Sequence, residues 1–261
     1  MASWSKIKFF HDTMLGSAGS TFALTAGSTA AGDYDVKYLY NMIETNMWKA
    51  SSTAHQQFDY DAGAGNAKSA DYLAILSHNL KTAGGKIDLN CSNDLVSWQT
   101  VVNDTPFADT VFLKEFNATT PHRYWRLNIN CTIGSTVAPY MTLCIWGNKT
   151  ELDYATASFD PYEQNVKANV NLSQGGYVTG VHTQYTERSL SLRFDDADAT
   201  LYGKIKSWWE TSGLKNFFVA WENANSPDDV WLMRPDPKFS NPLTNGGLYR
   251  NITLNLKGRK E

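Results

Sequence analysis

His78-Asn79, Tyr60-Asp61, Phe107 and His122-Arg123 set aromatic rings beside an amide, a carboxylate and a guanidinium, in stretches that read as loops. An aromatic ring stacks on the apolar face of a sugar, and planar amides and guanidinium groups grip its hydroxyls. The chemistry these groups support is glycan recognition, with His78, Asn79, Tyr60, Phe107, His122 and Arg123 as candidate contacts. His78-Asn79 follows the apolar run Tyr72–Leu76 after one serine, where side chains leave a strand for a loop. The same residue types also serve as plain surface and turn residues without a ligand, so two readings stand side by side.

Bond-breaking chemistry has no comparable signature. None of the five histidines pairs with another at metal-ligand spacing, and CxxC, HExxH, GxSxG and P-loop patterns are absent. Asp195, Asp196 and Asp198 stand just ahead of Leu201, Ile205, Trp208 and Trp209, which fall on one helical stripe. An N-cap and an acidic first turn account for that cluster, with Gly213 as the stop. Glu44 and Asp59 have nothing local to make them a glycosidase pair. The expectation is a non-catalytic protein with no metal and no cofactor.

Composition narrows the partners. Net charge is −3, so there is no basic footprint for nucleic acid, and Lys257-Gly258-Arg259-Lys260 reads as a short frayed terminus. No stretch approaches transmembrane length, and no membrane insertion is expected. Met1–Phe10 carries no apolar secretion signal, which points to assembly in a cytoplasm. Cys91, Cys131 and Cys144 lie in strand-like apolar runs and read as buried, reduced thiols.

The elements that must hold these groups are mainly strands. Ile87, Leu89 and Cys91 alternate with Lys86, Asp88 and Asn90; Trp125, Leu127, Ile129 and Cys131 alternate with Arg126, Asn128 and Asn130. Val36, Tyr38 and Tyr40 show the same period, and Met141, Leu143 and Ile145 give a strand closed by Gly147. Residues 33–150 therefore read as one domain of about seven short strands, a β-sandwich. Gly84-Gly85 and Gly175-Gly176 read as hairpin turns. Trp48 and Trp98 sit beside turns, where a large ring plugs one end of a core. Residues 1–32, rich in Ser, Gly, Thr and Ala beyond Leu15, read as an arm or linker ordered by a partner. Residues 155–261 read as an α+β domain, one helix packed on an antiparallel sheet. Trp208 and Trp209 lie about 100° apart on that helix. One faces the sheet, and the other belongs either to the core edge or to a subunit interface.

Three pieces in order resemble the discoidin, or coagulation factor 5/8 type C, family of galactose-binding-like jelly rolls. They are Tyr40-Asn41-Met42-Ile43 through Trp48-Lys49-Ala50-Ser51, Lys86–Asp94 with Trp98 four residues on, and His122-Arg123-Tyr124-Trp125-Arg126-Leu127. The resemblance implies a jelly roll that binds glycans through loops. The chain lacks the cysteine pair that staples extracellular members, and the calcium ligands of bacterial ones. Ser189–Phe194, the acidic helix start, Trp208-Trp209, Phe217–Trp221 and Tyr249–Lys257 resemble the ring-forming domain of distal or minor tail proteins of long-tailed phages. That likeness implies a structural protein of the virion tail tip, closing into a homo-oligomeric ring and touching tail tube and hub proteins, with the jelly roll turned to a host-surface glycan. A lectin-like carbohydrate-binding module outside any virion is the alternative.

Overall fold

The alternation at 86–91 and 125–131 becomes paired strands with one face in a core. The computed structural model describes residues 6–16, 22–160, 162–221 and 229–259. The first strands are β1 (Lys8–Thr13), β2 (Ala23–Ala26), β3 (Trp48–Lys49), β4 (Gln56–Asp61) and β5 (Tyr72–His78). Next come β6 (Gly85–Ser92), β7 (Gln99–Asp104), β8 (Phe112–Glu115), β9 (Tyr124–Cys131) and β10 (Tyr140–Glu151). The rest of the chain adds β11 (Gln164–Leu172), β12 (Val178–Ala197), helix α1 (Ala199–Ser212) and β13 (Phe217–Ala220). It closes with β14 (Val230–Pro235), β15 (Leu243–Thr244) and β16 (Tyr249–Arg259). The protein is mainly β.

The chain divides into two compact units. One takes residues 10–150; the other takes the described residues of 1–9, 151–224 and 231–260. In the first, one sheet runs β2-β4-β9-β6-β7. In a second sheet β5 lies between β10 and β8, and β3 also pairs with β10. Phe58, Ile87, Leu89, Leu127 and Ile129 of the first sheet share a core with Leu73, Ile75, Met141 and Trp146 of the second, none more than 1% exposed. Two antiparallel sheets around one apolar layer make a β-sandwich. Trp48 is fully buried there, its ring edge-on to Phe58 at 4.6 Å, as a core plug should be. Cys91 and Cys144 are buried and Cys131 partly so, all as free thiols.

The other unit is an antiparallel sheet, β11-β12-β16-β14-β13, carrying α1. The Asp198 carboxylate caps the helix by accepting from the Leu201 amide at 2.8 Å. Gly213, at φ 55°, ends it by donating its amide to the Trp209 carbonyl. Leu201, Ile205 and Trp208 pack with Leu192, Phe194, Ile252 and Leu254 in a second core. The α+β reading of this region holds.

Several local expectations fail for identifiable reasons. Residues 1–32 do not form a loose arm throughout: Lys8–Thr13 and Ala23–Ala26 are strands, and Phe9 and Phe10 are fully buried. Two adjacent aromatics point to opposite faces of a strand and outweigh the Ser/Gly content around them. Residues 1–5 and 17–21 of that stretch lie outside the described residues. Val36–Tyr40 is a 3₁₀ turn, because the Asp35 carboxylate captures the Lys37 amide and only Leu39 of the five is buried. Gly84-Gly85 is no hairpin, since β5 and β6 belong to opposite sheets and the turn carries the chain across the core. Gly175-Gly176 does join the antiparallel pair β11 and β12. The basic terminus is paired rather than frayed through Arg259, where β16 meets β14; Lys260 lies outside the described residues.

Candidate functional site

The β6–β9 pairing decides which distant residues meet. Cys91 lies opposite Trp125 and Ser92 opposite Tyr124, so the turn after β6 stands beside the segment entering β9. The Ser92 hydroxyl accepts from the amides of Asp94 and Leu95 at 3.2 and 3.1 Å. The Asp94 carboxylate accepts from the amides of Val96 and Ser97 at 2.8 and 2.7 Å. Those bonds, led by the Ser97 amide, hold the Asp94 carboxyl down at about 2. The turn is thus tied by its own short side chains, and it delivers Trp98 and Gln99 to the sheet edge.

Ion pairs brace the neighbouring strand. Arg123 grips Asp61 through two nitrogens at 2.7 and 2.9 Å, and this pairing depresses the Asp61 carboxyl below the usual range. The Arg123 amide donates to the Asn93 side-chain oxygen at 3.0 Å, joining the two segments directly. Arg126 pairs with Asp59 at 2.7 Å and lays its guanidinium over the Trp98 ring, 4.3 Å from the centroid. The Trp98 indole N–H donates to the Leu95 carbonyl at 3.2 Å. His122 holds its Nδ1 2.7 Å from the Thr120 carbonyl oxygen, with its ring edge-on to Trp125.

Cys91, Ser92, Asn93, Asp94, Ser97, Trp98, Gln99 and His122 enclose an open cleft of about 350 Å³. Two aromatic rings, two amides, a carboxylate and two hydroxyls line a space within the range of small-ligand sites, about 300–1,000 Å³.

No protein-family model matches the sequence, and no curated protein matches it. Solved structures similar to the chain include carbohydrate-binding modules. One is the module CBM32-5 of a Clostridium perfringens GH89 protein in complex with GalNAc-β-1,3-galactose: identity 14%, TM-score 0.40, covering 48% of this chain and 94% of that one. Another is chitosan-binding module 1 of a Paenibacillus chitosanase/glucanase: identity 14%, TM-score 0.42, coverage 52% and 98%. A third is the CBM32 of AlyQ in complex with 4,5-unsaturated mannuronic acid: identity 18%, TM-score 0.40, coverage 52% and 96%. At such identities and scores, neither ligands nor binding residues carry over to this chain.

The six candidate contacts do not converge. His122 lines the cleft and Arg123 adjoins it through Asn93. Phe107 is 84% exposed, in the loop between β7 and β8, and does not line this cleft. Tyr60, His78 and Asn79 are buried and structural. The Tyr60 hydroxyl donates to the Met14 carbonyl, and burial pushes its pKa up to about 12. Asn79 donates to the Ala138 carbonyl and accepts from the Tyr140 amide, fastening the residues after β5 to the start of β10. His78 accepts the Leu80 amide at Nδ1. Trp98 is no core plug: it is only partly buried, with Arg126 on its ring. Asn93, Asp94 and Gln99 are not among the sequence's candidate contacts, because Asn93-Asp94 reads as plain turn chemistry and Gln99 opens a strand. Their signal was the conjunction of Ser92-Asn93-Asp94 with Trp98 and an arginine on the pairing strand.

Of the two candidate assembly residues, Trp208 is fully buried in its own unit and has no surface to offer a neighbour. Trp209 is partly buried, its ring stacked on Phe239 at 5.3 Å, which places it at the core edge.

The buried histidine makes the fold acid-sensitive. Burial lowers the His78 pKa from 6.5 to about 4, against the opposing pull of the Asp109 carboxylate 4.0 Å from Nδ1. Below pH 6.5 the unfolded chain takes up a proton that the folded chain refuses. The stabilisation is therefore complete above that pH and lost progressively down to about 4, on the order of 3 kcal/mol in all. Urea midpoints are expected to fall between pH 7 and pH 4.5, and the fall to be shallower in His78→Asn, whose amide oxygen still accepts the Leu80 amide. Equal slopes in the two proteins would remove His78 from the account.

Proposed function

We propose that the 10–150 unit is a carbohydrate-binding module and that the chain acts by binding, without catalysis. The observation that carries this reading is the cleft in which Trp98 and His122 stand beside Asn93, Asp94 and Gln99. A sugar's C–H face packs on the indole, and its hydroxyls meet amide, carboxylate and hydroxyl partners held by the Ser92–Asp94 turn. Because Arg126 and Asp59 fix the Trp98 ring beforehand, little side-chain freedom remains to be lost on binding. The reading is tested by screening the protein on a glycan array and measuring hits by calorimetry. Trp98→Ala is expected to weaken binding at least tenfold, about 1.4 kcal/mol, with unchanged melting within a few degrees. Unchanged affinity would exclude this cleft.

A second reading, assembly into a larger particle such as a phage tail tip, is favoured by one feature of the other unit. Among the described residues, β12 pairs with β16 only from Arg188 onward; ahead of it, Val178–Glu187 pairs with β11 alone. This two-stranded ribbon has unlike faces. Val166, Ala168, Val170 and Leu172 line one, opposite Thr186, Thr183, Val181 and Val178, while Asn165, Lys167, Asn169 and Asn171 line the other. Val166, Val170, Leu172, Val178 and Val181 are each more than half exposed. An isolated ribbon with a bare apolar stripe and an open edge is a place for another chain to pack. In this reading the partners are further copies in a ring and the tail tube and hub proteins beside it, the site is the virion tail, and assembly takes place in the host cytoplasm. The double variant Val170→Asp/Val181→Asp is expected to shift a light-scattering mass from oligomer to monomer. A monomeric wild type at high micromolar concentration would count against self-assembly.

A further inference from the structure

A second open cleft lies at the same sheet edge. Gln99, Thr100, Val101, Glu115, Phe116, Asn117 and Lys149 enclose about 520 Å³. Gln99 lines both this space and the Trp98 cleft. We propose that the two clefts are adjoining subsites of one groove, which takes a neutral oligosaccharide chain rather than a single sugar. This rests on the carbohydrate reading above and specifies its ligand.

The lining fits that class. Phe116 and Val101, both partly buried against the core, give an apolar floor for a pyranose face. The exposed Gln99 and Asn117 side chains make no hydrogen bond among the described residues, so their donors and acceptors are open to hydroxyls. Lys149 and Glu115 are joined in an ion pair and both are mostly buried. Their charges cancel within the groove, which leaves no net attraction for a uronate or sulfated chain and favours an uncharged one. The pair stays anchored, because the Lys149 amide also donates to Asp71 at 2.8 Å. Gln99 stands at the junction: β7 begins there, and its amide is placed to bridge successive units. Each volume falls within the range of a small-ligand site, about 300–1,000 Å³. Occupying both adds contacts that a monosaccharide in either one forgoes.

The experiment is calorimetry on the full chain with N-acetylglucosamine, glucose and galactose and their β-linked oligomers of two to six units. Wild type is expected to bind the tetramer of its preferred series at least tenfold more tightly than the monomer. Asn117→Ala, at an exposed position, should remove most of that gain. Trp98→Ala should weaken both, and Gln99→Ala should reduce the tetramer gain while melting as wild type does. Equal affinity for monomer and tetramer, or an Asn117→Ala protein with the full gain, overturns the joined groove and leaves the Trp98 site standing. If no saccharide binds at any length, the carbohydrate reading falls and the groove with it.

Discussion

Trp208→Ala is expected to lower the stability of the unit that carries α1 by about 3–5 kcal/mol, the range for removing a buried large aromatic side chain. Trp208 is fully buried and lies at the meeting point of three rings: Phe9 at 5.0 Å, Phe217 at 5.2 Å and Trp209 at 5.9 Å. Phe9 and Phe217 also touch each other, edge-on at 4.9 Å, so the vacated space is walled by rings that cannot collapse into it without losing their own contacts. Trp208→Phe should cost less than half as much. It keeps the ring contacts, and the indole N–H that it discards has no hydrogen-bond partner among the described residues. Trp209→Ala, which removes a ring stacked on Phe239 at the edge of this core, should fall between the two. Calorimetric melting of the three variants gives the order. An Ala variant at Trp208 that melts within about 2 °C of wild type would remove this tryptophan from the core.

The same helix shows what sequence periodicity reveals and what it hides. Leu201, Ile205 and Trp208 follow a 3.6-residue stripe, and all three are buried, with Asp198 as cap and Gly213 as stop. Local pattern suffices there because helix hydrogen bonds and caps are local. It also suffices for the dry faces of β6 and β9, where Ile87, Leu89 and Cys91 and then Trp125, Leu127 and Ile129 are all buried. The candidate site is different in kind. His122 and Arg123 reach it only because β6 and β9 pair in one register, and nothing within either strand declares that register to the other. His78, Asn79 and Tyr60 carry the polar chemistry of a binding site, yet they spend it on the backbone of Leu80, Ala138, Tyr140 and Met14. A polar side chain beside a strand end looks the same in sequence whether it faces a ligand or satisfies a buried amide; only its burial separates the two. Trp98 shows the converse error. A tryptophan beside a turn reads as a plug, as Trp48 is, but with Arg126 on its face and Asp59 behind that, it remains at the surface.

Gly147 gives the sharpest case of a residue whose role no local pattern discloses, and Gly147→Ala should be severely destabilising. In sequence it reads as the end of a strand, yet β10 continues through it to Glu151, with Gly147 opposite Tyr72. Its backbone conformation is not the reason for glycine; close approach is. A Cβ there would lie 2.0 Å from the Asp12 carbonyl oxygen and 2.9 Å from the Thr13 Cα. Both are backbone atoms, so no side-chain rotation relieves the clash, and the segment 12–15 must move away from β10. That movement breaks the bond from the Met14 amide to the Trp146 carbonyl at 3.1 Å, and it pulls the Met14 carbonyl from the Tyr60 hydroxyl. Met14 and Leu15, both buried in the sandwich core, go with it. A single added methyl in a packed interior costs about 1–3 kcal/mol where side chains can adjust. With backbone on both sides and a core segment displaced, a loss of about 3 kcal/mol or more is expected. It would show as a fall in the sandwich's melting temperature and as faster hydrogen exchange at the Met14 amide. Exchange at Met14 as slow as in wild type, with an unchanged melting curve, would mean that residues 12–15 do not lie against β10 in solution.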